Sequence, residues 1–335
     1  VSAVVVHPSQ ARTPRGETRE TRETPWWDSS IRLADLDLIE YPPLEYLVPD
    51  VLPVGGLVLL AGAPKAGKSV LAMGFALAVA SGGRALGASQ ARQGEVLFLS
   101  LDDQSRPRAQ RRIRDLLRGD SMPAGMVLHT EPNLQVGRAA AANLSLYLAA
   151  HPQVRLVVID TLEHLRGDRP AGVSVYSADV RFLNLLRQVV ADHPAVCILA
   201  LTHTRKGDGD EDPIEAVSGS HGVTGGADAV LVLSGRRGVP RRMLDVVSRD
   251  DEDKRLVLTM TPNGLTLTDE DPDDPTVLMS EEDARIYRAV SEFPDGVTAK
   301  DLEPLLPNVK KIGNRLAGLK NKGYLRMSAR GVYVA

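Results

Sequence analysis

Eight consecutive residues, Gly62-Ala63-Pro64-Lys65-Ala66-Gly67-Lys68-Ser69, place two glycines, a lysine and a hydroxyl at the spacing G-x-x-x-x-G-K-[ST]. Residues of these types at this spacing hold phosphate. Glycine lets the backbone turn its N–H groups inward, the following helix adds its positive end, the lysine reaches the β and γ phosphates, and the hydroxyl ligates Mg²⁺. The expected nucleotide contacts are therefore Gly62, Ala63, Pro64, Lys65, Ala66, Gly67, Lys68, Ser69 and Val70, with ATP and Mg²⁺ as cofactors. Three further polar positions each close an apolar run: Asp102, with Asp103, after residues 94–101 (GEVLFLSL); Asp160 after residues 154–159 (VRLVVI); and His203 after residues 195–201. A carboxylate at such an end can orient Mg²⁺ or its water, and a polar residue there can sense the γ phosphate. Asp103 reads equally well as the cap of the helix that follows it.

For these side chains to meet, the apolar runs must be parallel strands of one sheet with their carboxyl ends together, because ligands of open α/β sheets collect there. Residues 56–61 (GLVLLA) have the length and uniform apolarity of a buried strand, and residues 70–80 (VLAMGFALAVA) those of a buried helix. A strand therefore feeds the glycine turn and a helix leaves it. Further runs predict helices at 106–118, 139–149 and 180–191, a short strand at 126–130, and hairpin-type strands at 228–233, 242–248, 255–260 and 265–268. The fold class is α/β with a mostly parallel central sheet. The helix at 106–118 carries Arg106, Arg108, Arg111, Arg112, Arg114 and Arg118; a solvated face and a contact with nucleic acid or a neighbouring subunit are both open. Residues 206–226 form a long segment of Gly, Ser and acidic residues, and loops of that length inside a compact domain are frequently functional.

The chain has 335 residues, 43% hydrophobic and 25% charged, enough for one large domain and a small one. A formal net charge of -3 gives no global attraction to nucleic acid, so any such contact must come from local patches. The single cysteine, Cys197, lies within an apolar run and excludes an internal disulfide and a cysteine-rich metal site. No run approaches the ~18 apolar residues of a membrane span and the start carries no signal-peptide pattern, so the expected address is the cytoplasm, without a membrane partner. Residues 1–45 read as a disordered or extended arm whose Trp26 and Trp27 pack on the domain or anchor it on a neighbouring subunit.

Beyond residue 268 an acidic linker, 269–277 (DEDPDDPTV), marks a domain boundary. Ser280 and Thr298 have the placement of helix N-caps, as does Asn308 for a third helix at 309–323, and the tail alternates like a short hairpin. Three helices and a hairpin at 278–335 look like a winged helix. From residue 309 onward every charged side chain is basic: Lys310, Lys311, Arg315, Lys320, Lys322, Arg326 and Arg330. That asymmetry favours phosphate contact with DNA; a protein-facing module with a solvated basic face is the other reading.

Taken together, GAPKAGKS, SLDD before an Arg-rich helix, VVIDTL, THTRKGD, the glycine segment from Ser218 to Asp228, and Ser248-Arg249-Asp250 resemble the RecA-like P-loop ATPases of the RepA hexameric-helicase group. The resemblance covers residues 46–268. It implies a RecA-like ATPase domain that forms an oligomer, a hexameric ring or related assembly, and acts on single-stranded DNA, with duplex DNA as a further substrate. Carried over by position, Lys68 and Ser69 match the phosphate and Mg²⁺ residues, Asp160 the second acidic motif and metal site, and His203 the histidine that reports nucleotide state. Asp102 stands where the family has a water-activating Glu, one methylene longer. Arg249 matches the cation that related ring ATPases present to a neighbour's nucleotide. Two functions follow: a replicative helicase of a mobile element or phage, and a non-motor ATP switch that assembles on DNA. No N-K-x-D pattern is present to select guanine.

Overall fold

Nine runs rich in Val, Leu and Ile assemble into one sheet. They are β1 Leu57–Gly62, β2 Glu95–Ser100, β3 Met126–His129, β4 Val154–Asp160, β5 Cys197–Leu201, β6 Ala229–Ser234, β7 Arg241–Ser248, β8 Lys254–Thr261 and β9 Gly264–Leu267, in the order β9-β8-β7-β6-β1-β5-β4-β2-β3. The computed structural model describes residues 30–40, 43–131, 134–168, 172–204, 225–236 and 238–335. The arm through residue 29 with Trp26 and Trp27, and the glycine-rich acidic segment of 205–224, lie outside these residues.

From β6 to β3 every pairing is parallel, and from β6 to β9 every pairing is antiparallel. The uniform apolarity of β1 and β5 follows from this: a parallel strand covered by helices on both faces has no solvent side, and all residues of both strands are buried. β6 is not a plain hairpin strand, since it pairs in parallel with β1 and antiparallel with β7. Helix α1, Lys68–Ser81, packs Leu71 and Phe75 against one face of the sheet, with Ile113 of α2, Arg106–Leu117. The other face is covered by α3 Arg138–Ala150, α4 Leu162–Arg166 and α5 Val175–Asp192 through Leu144, Leu162, Leu165 and Leu183. This is a layered α/β arrangement, with helices on both faces of a mostly parallel sheet.

The sequence does not anticipate α4, a single turn after Asp160 held by burial of Leu162 and Leu165. α5 begins earlier than expected because the Ser174 hydroxyl accepts the N–H of Ser177 at 3.0 Å and caps it. Cys197 is fully buried in β5, and burial pushes its thiol well above the usual range, as fits core packing. No helix among the described residues is long and apolar enough to cross a membrane.

Residues 44–335 form one unit and residues 1–43 another; the described part of the latter includes a short helix, Leu33–Leu36. Beyond β9, the acidic stretch lies along the antiparallel strands: Arg241 pairs with Glu270, Arg255 reaches Asp273 at 2.9 Å, and Val277 packs on Met243 and Val257. Then come α6 Glu281–Ser291, β10 Val297–Thr298, α7 Ala299–Leu302, α8 Ile312–Asn321, β11 Arg326–Ala329 and β12 Val332–Val334. The three strands pair in the order β10-β12-β11, and Ile286, Val290, Leu302, Leu316 and Leu325 make a separate core. Ser280 and Thr298 cap their helices, the latter in a reciprocal box with Asp301. α8 starts at Ile312, with Lys311 as its N-cap at φ 56°, so Asn308 does not cap it.

Candidate functional site

The carboxyl ends of β1, β2, β4 and β5 lie side by side, Ser100 opposite Asp160 and Leu60 opposite Leu201. The glycine turn leaves β1 at this edge. Gly67 has φ 113°, open to glycine and strained for any other residue, and a Cβ on Gly62 would stand 2.5 Å from the carbonyl oxygen of Leu233 on β6. Both glycines are therefore required by the backbone path. Lys68, only 6% exposed, turns back into the loop, where its Nζ donates to the carbonyl oxygens of Gly62 at 2.7 Å and Ala63 at 3.3 Å. Nδ1 of His203 lies 3.2 Å from the same nitrogen. An ammonium has three donors and no acceptor, so all three are spent and Nδ1 accepts. Burial pulls the Lys68 ammonium below its ordinary value, against the charges of Asp160, Glu163 and Asp102.

Asp160 is 6% exposed, with the Ser69 hydroxyl near enough to favour its charged form. Burial pushes its carboxyl above the usual aspartate range; the Ser69 hydroxyl opposes the rise and the Asp102 charge adds to it. A hydroxyl and one carboxylate side by side suit Mg²⁺, which keeps most of its waters and takes its remaining ligands from substrate phosphates. Asp102 joins this cluster through its backbone, since the N–H groups of Leu101 and Asp102 both donate to the Asp160 carbonyl, at 2.7 and 3.0 Å. Its side chain is exposed at the rim. Asp103 instead accepts the Ser105 N–H at 3.1 Å and pairs with Arg108 at 3.0 Å, serving the entry to α2.

Two residues at this edge escape a reading of motifs. Glu163 on α4 accepts the Thr202 hydroxyl at 2.9 Å and the His203 backbone N–H at 3.4 Å on Oε1, while its Oε2 is buried with no hydrogen-bond partner among the described residues. Burial works against its charge, but its own backbone N–H and the Thr202 hydroxyl outweigh that and hold the carboxyl below the usual glutamate range. α4 is fixed in turn by the part-buried ion pair of Arg166 with Asp179 on α5. The one sequence signal was a carboxylate three residues beyond Asp160 between two leucines. The second residue is Arg242, 8% exposed at the start of β7, whose Nε donates to the carbonyl of Ala66 in the glycine turn at 2.9 Å and whose Nη1 donates to Arg241 O at 2.8 Å and to Val239 O. A Cβ on Gly235 would collide with this side chain, so that glycine makes room for it.

Arg249 is elsewhere. β7 runs antiparallel, so its last residue, Ser248, sits opposite Ala229 and hence level with Val58 at the far end of β1. The exposed Arg249 guanidinium there hydrogen-bonds the Gly225 carbonyl. Beside Val70, a cavity of about 280 Å³ is lined by Arg108, Arg111 and Arg112 of α2 and by Met260, Thr261 and Gly264. In the C-terminal module Lys310, Lys311, Lys320, Lys322, Arg326 and Arg330 are exposed. Arg315 is not free: it pairs with Asp283 at 2.7 Å and with Glu282, both in the first turn of α6. The module meets the core through Arg236, just beyond β6, which donates to the Tyr324 hydroxyl at 2.9 Å with its guanidinium carbon 5.2 Å from the ring centroid.

Residues 27–209, more than half of the chain, match the family described as AAA domain. Among solved structures, one described as the crystal structure of the RadB recombinase is similar with 15% sequence identity and a TM-score of 0.48, covering 65% of this chain and 93% of that one. No curated protein matches.

Proposed function

Because the chain belongs to the AAA domain family, we propose that it is an Mg²⁺-dependent ATPase of the RepA hexameric-helicase type, working as an oligomer on DNA through a C-terminal winged helix. The observation that carries the nucleotide part is the convergence of Lys68, Ser69, Asp160 and His203 on one strand edge, with Lys68 and Asp160 both buried and His203 Nδ1 3.2 Å from Lys68 Nζ. Lys68 exchanges at least one of its internal acceptors for phosphate oxygen. Ser69 and Asp160 would hold Mg²⁺, whose charge would neutralise that of the phosphate oxygens. Asp102, at the rim, orients the attacking water, and the cavity beside Val70 receives the base and sugar. The three helices and three-stranded sheet beyond residue 279, with the exposed Lys310, Lys311, Lys320, Lys322, Arg326 and Arg330 in a stretch that has no acidic residue, support the DNA part.

Arg249 is too far along β7 to serve its own chain's nucleotide, which supports a role across a subunit boundary. Mixing Lys68→Ala with Arg249→Ala subunits recovers turnover that neither pure variant shows; no recovery in demonstrably mixed oligomers rejects that role. A second reading, an ATP switch that assembles on DNA without unwinding it, is favoured by the exposed and shorter Asp102. ATP turnover and mass, measured with and without single-stranded and duplex DNA, followed by strand displacement on a forked substrate, separate the two. Turnover without displacement selects the switch, and absence of any turnover removes both.

A further inference from the structure

The geometry points to Glu163 as a positioning residue that holds the Thr202–His203 turn, and through it the imidazole that occupies the third donor of Lys68. The inference rests on the nucleotide reading of Lys68. A continuous line of contacts supports it: Glu163 Oε1 takes the Thr202 hydroxyl at 2.9 Å and the His203 N–H at 3.4 Å, and His203 Nδ1 takes Lys68 Nζ at 3.2 Å. His203 is exposed and stands just beyond β5, where the backbone on either side is tied to β1 by the Thr202 N–H to Leu60 O at 3.0 Å and the Thr204 N–H to Gly62 O at 3.3 Å, and the His203 N–H itself goes to Glu163. Glu163 itself is rigid, because Leu162 and Leu165 on either side are 1% and 2% exposed and Arg166 is paired with Asp179. Oε2 of Glu163 is buried with no hydrogen-bond partner among the described residues, so the contacts that the carboxylate makes to Thr202 and His203 run through Oε1. Lys68 must drop an internal acceptor to reach phosphate, and Glu163 decides where the displaced imidazole and its backbone then stand.

The test uses the full chain and two readouts. The first needs no nucleotide: nitrogen NMR of the imidazoles, with the His203 signals assigned from His203→Gln. In the parent chain the contact of Nδ1 with Lys68 gives the two ring nitrogens of His203 distinct signals, with Nδ1 as the acceptor. Glu163→Ala and Thr202→Val loosen the turn and give averaged tautomers; Glu163→Gln, whose amide oxygen still accepts both bonds, keeps the parent spectrum. The second readout is steady-state ATP turnover, in which Glu163→Ala lowers kcat at least ~10-fold with KM within about threefold, since misplacement of a group far from the chemistry acts on the transition state. Glu163→Gln restores most of that loss. Melting curves establish that each variant is folded, and Thr202→Val decides the matter if Glu163→Ala is not. An unchanged His203 spectrum in Glu163→Ala and Thr202→Val overturns the proposal. So does Glu163→Gln as slow as Glu163→Ala, which would mean that the charge itself acts on the reactants. Absence of turnover in the parent chain refutes the ATPase reading alone, while the nucleotide-free spectra still decide the role of Glu163.

Discussion

The nucleotide edge and the C-terminal module both rest on basic side chains, but they use them in opposite ways. At the edge, Lys68 and Arg242 are 6% and 8% exposed and their donors are assigned to named acceptors in the glycine turn and its surroundings. In the module, Lys310, Lys311, Lys320, Lys322, Arg326 and Arg330 project into solvent, and the cation that is partly buried, Arg315, is already paired with acids of α6. A buried donor acts at one point and tolerates no displacement. An exposed cluster acts as a summed field, in which each member is replaceable and salt weakens all of them. The two regions should therefore differ sharply in their response to single substitutions.

The largest effect is expected at Lys68. Lys68→Ala removes the one cation that the turn brings to the β and γ phosphates and should lower ATP turnover by ~10³ or more. Turnover equal to that of the parent chain would break the comparison at its stronger side. Arg242→Met comes next. It keeps the bulk of the side chain but leaves the Ala66 carbonyl without its donor, and a lost charge-assisted hydrogen bond of about 1.5–3 kcal/mol predicts roughly tenfold weaker nucleotide binding or more. Titration with a fluorescent ATP analogue reads this, and unchanged affinity would show that the turn holds its shape without the brace.

A pH series tests whether burial governs the edge. Burial raises the Asp160 carboxyl, so in the free chain protonation of Asp160 is favoured by folding: its contribution to stability is fully present below the unfolded aspartate value, about 3.9, and is lost as pH rises through the higher folded value. Mg²⁺ needs the ionised form. Mg²⁺-dependent nucleotide binding should accordingly weaken on acidification at a pH above the ordinary aspartate range, and Asp160→Asn should bind weakly with that pH dependence removed. The smallest effect belongs to the module. Lys310→Ala or Lys322→Ala alone should change DNA affinity only modestly and reduce the slope of log affinity against log salt by about 1 at most. A loss of binding from one such substitution would mean that the module reads DNA by a built contact, as the nucleotide edge reads phosphate.

The features legible in the residues alone are those that are local along the chain. The glycine turn, the apolar runs of β1, β2, β4 and β5, and the caps at Ser280 and Thr298 each depend on residues within a few positions of one another, so type and spacing sufficed. Tertiary structure alone decided the rest, because those contacts join residues that only the strand order brings together. Glu163 meets Thr202 and His203 because β4 and β5 are neighbours, and Arg242 reaches Ala66, 176 residues earlier, because β7 folds back antiparallel beside β6. The same reversal carries Arg249 to the opposite end of the sheet. Arg315 counted as a free positive charge until α8 packed against α6, whose acids neutralise it. A charge or a carboxylate is visible in a sequence, but its partner is set by topology, and the partner decides whether it binds phosphate, braces a loop or is spent in an internal pair.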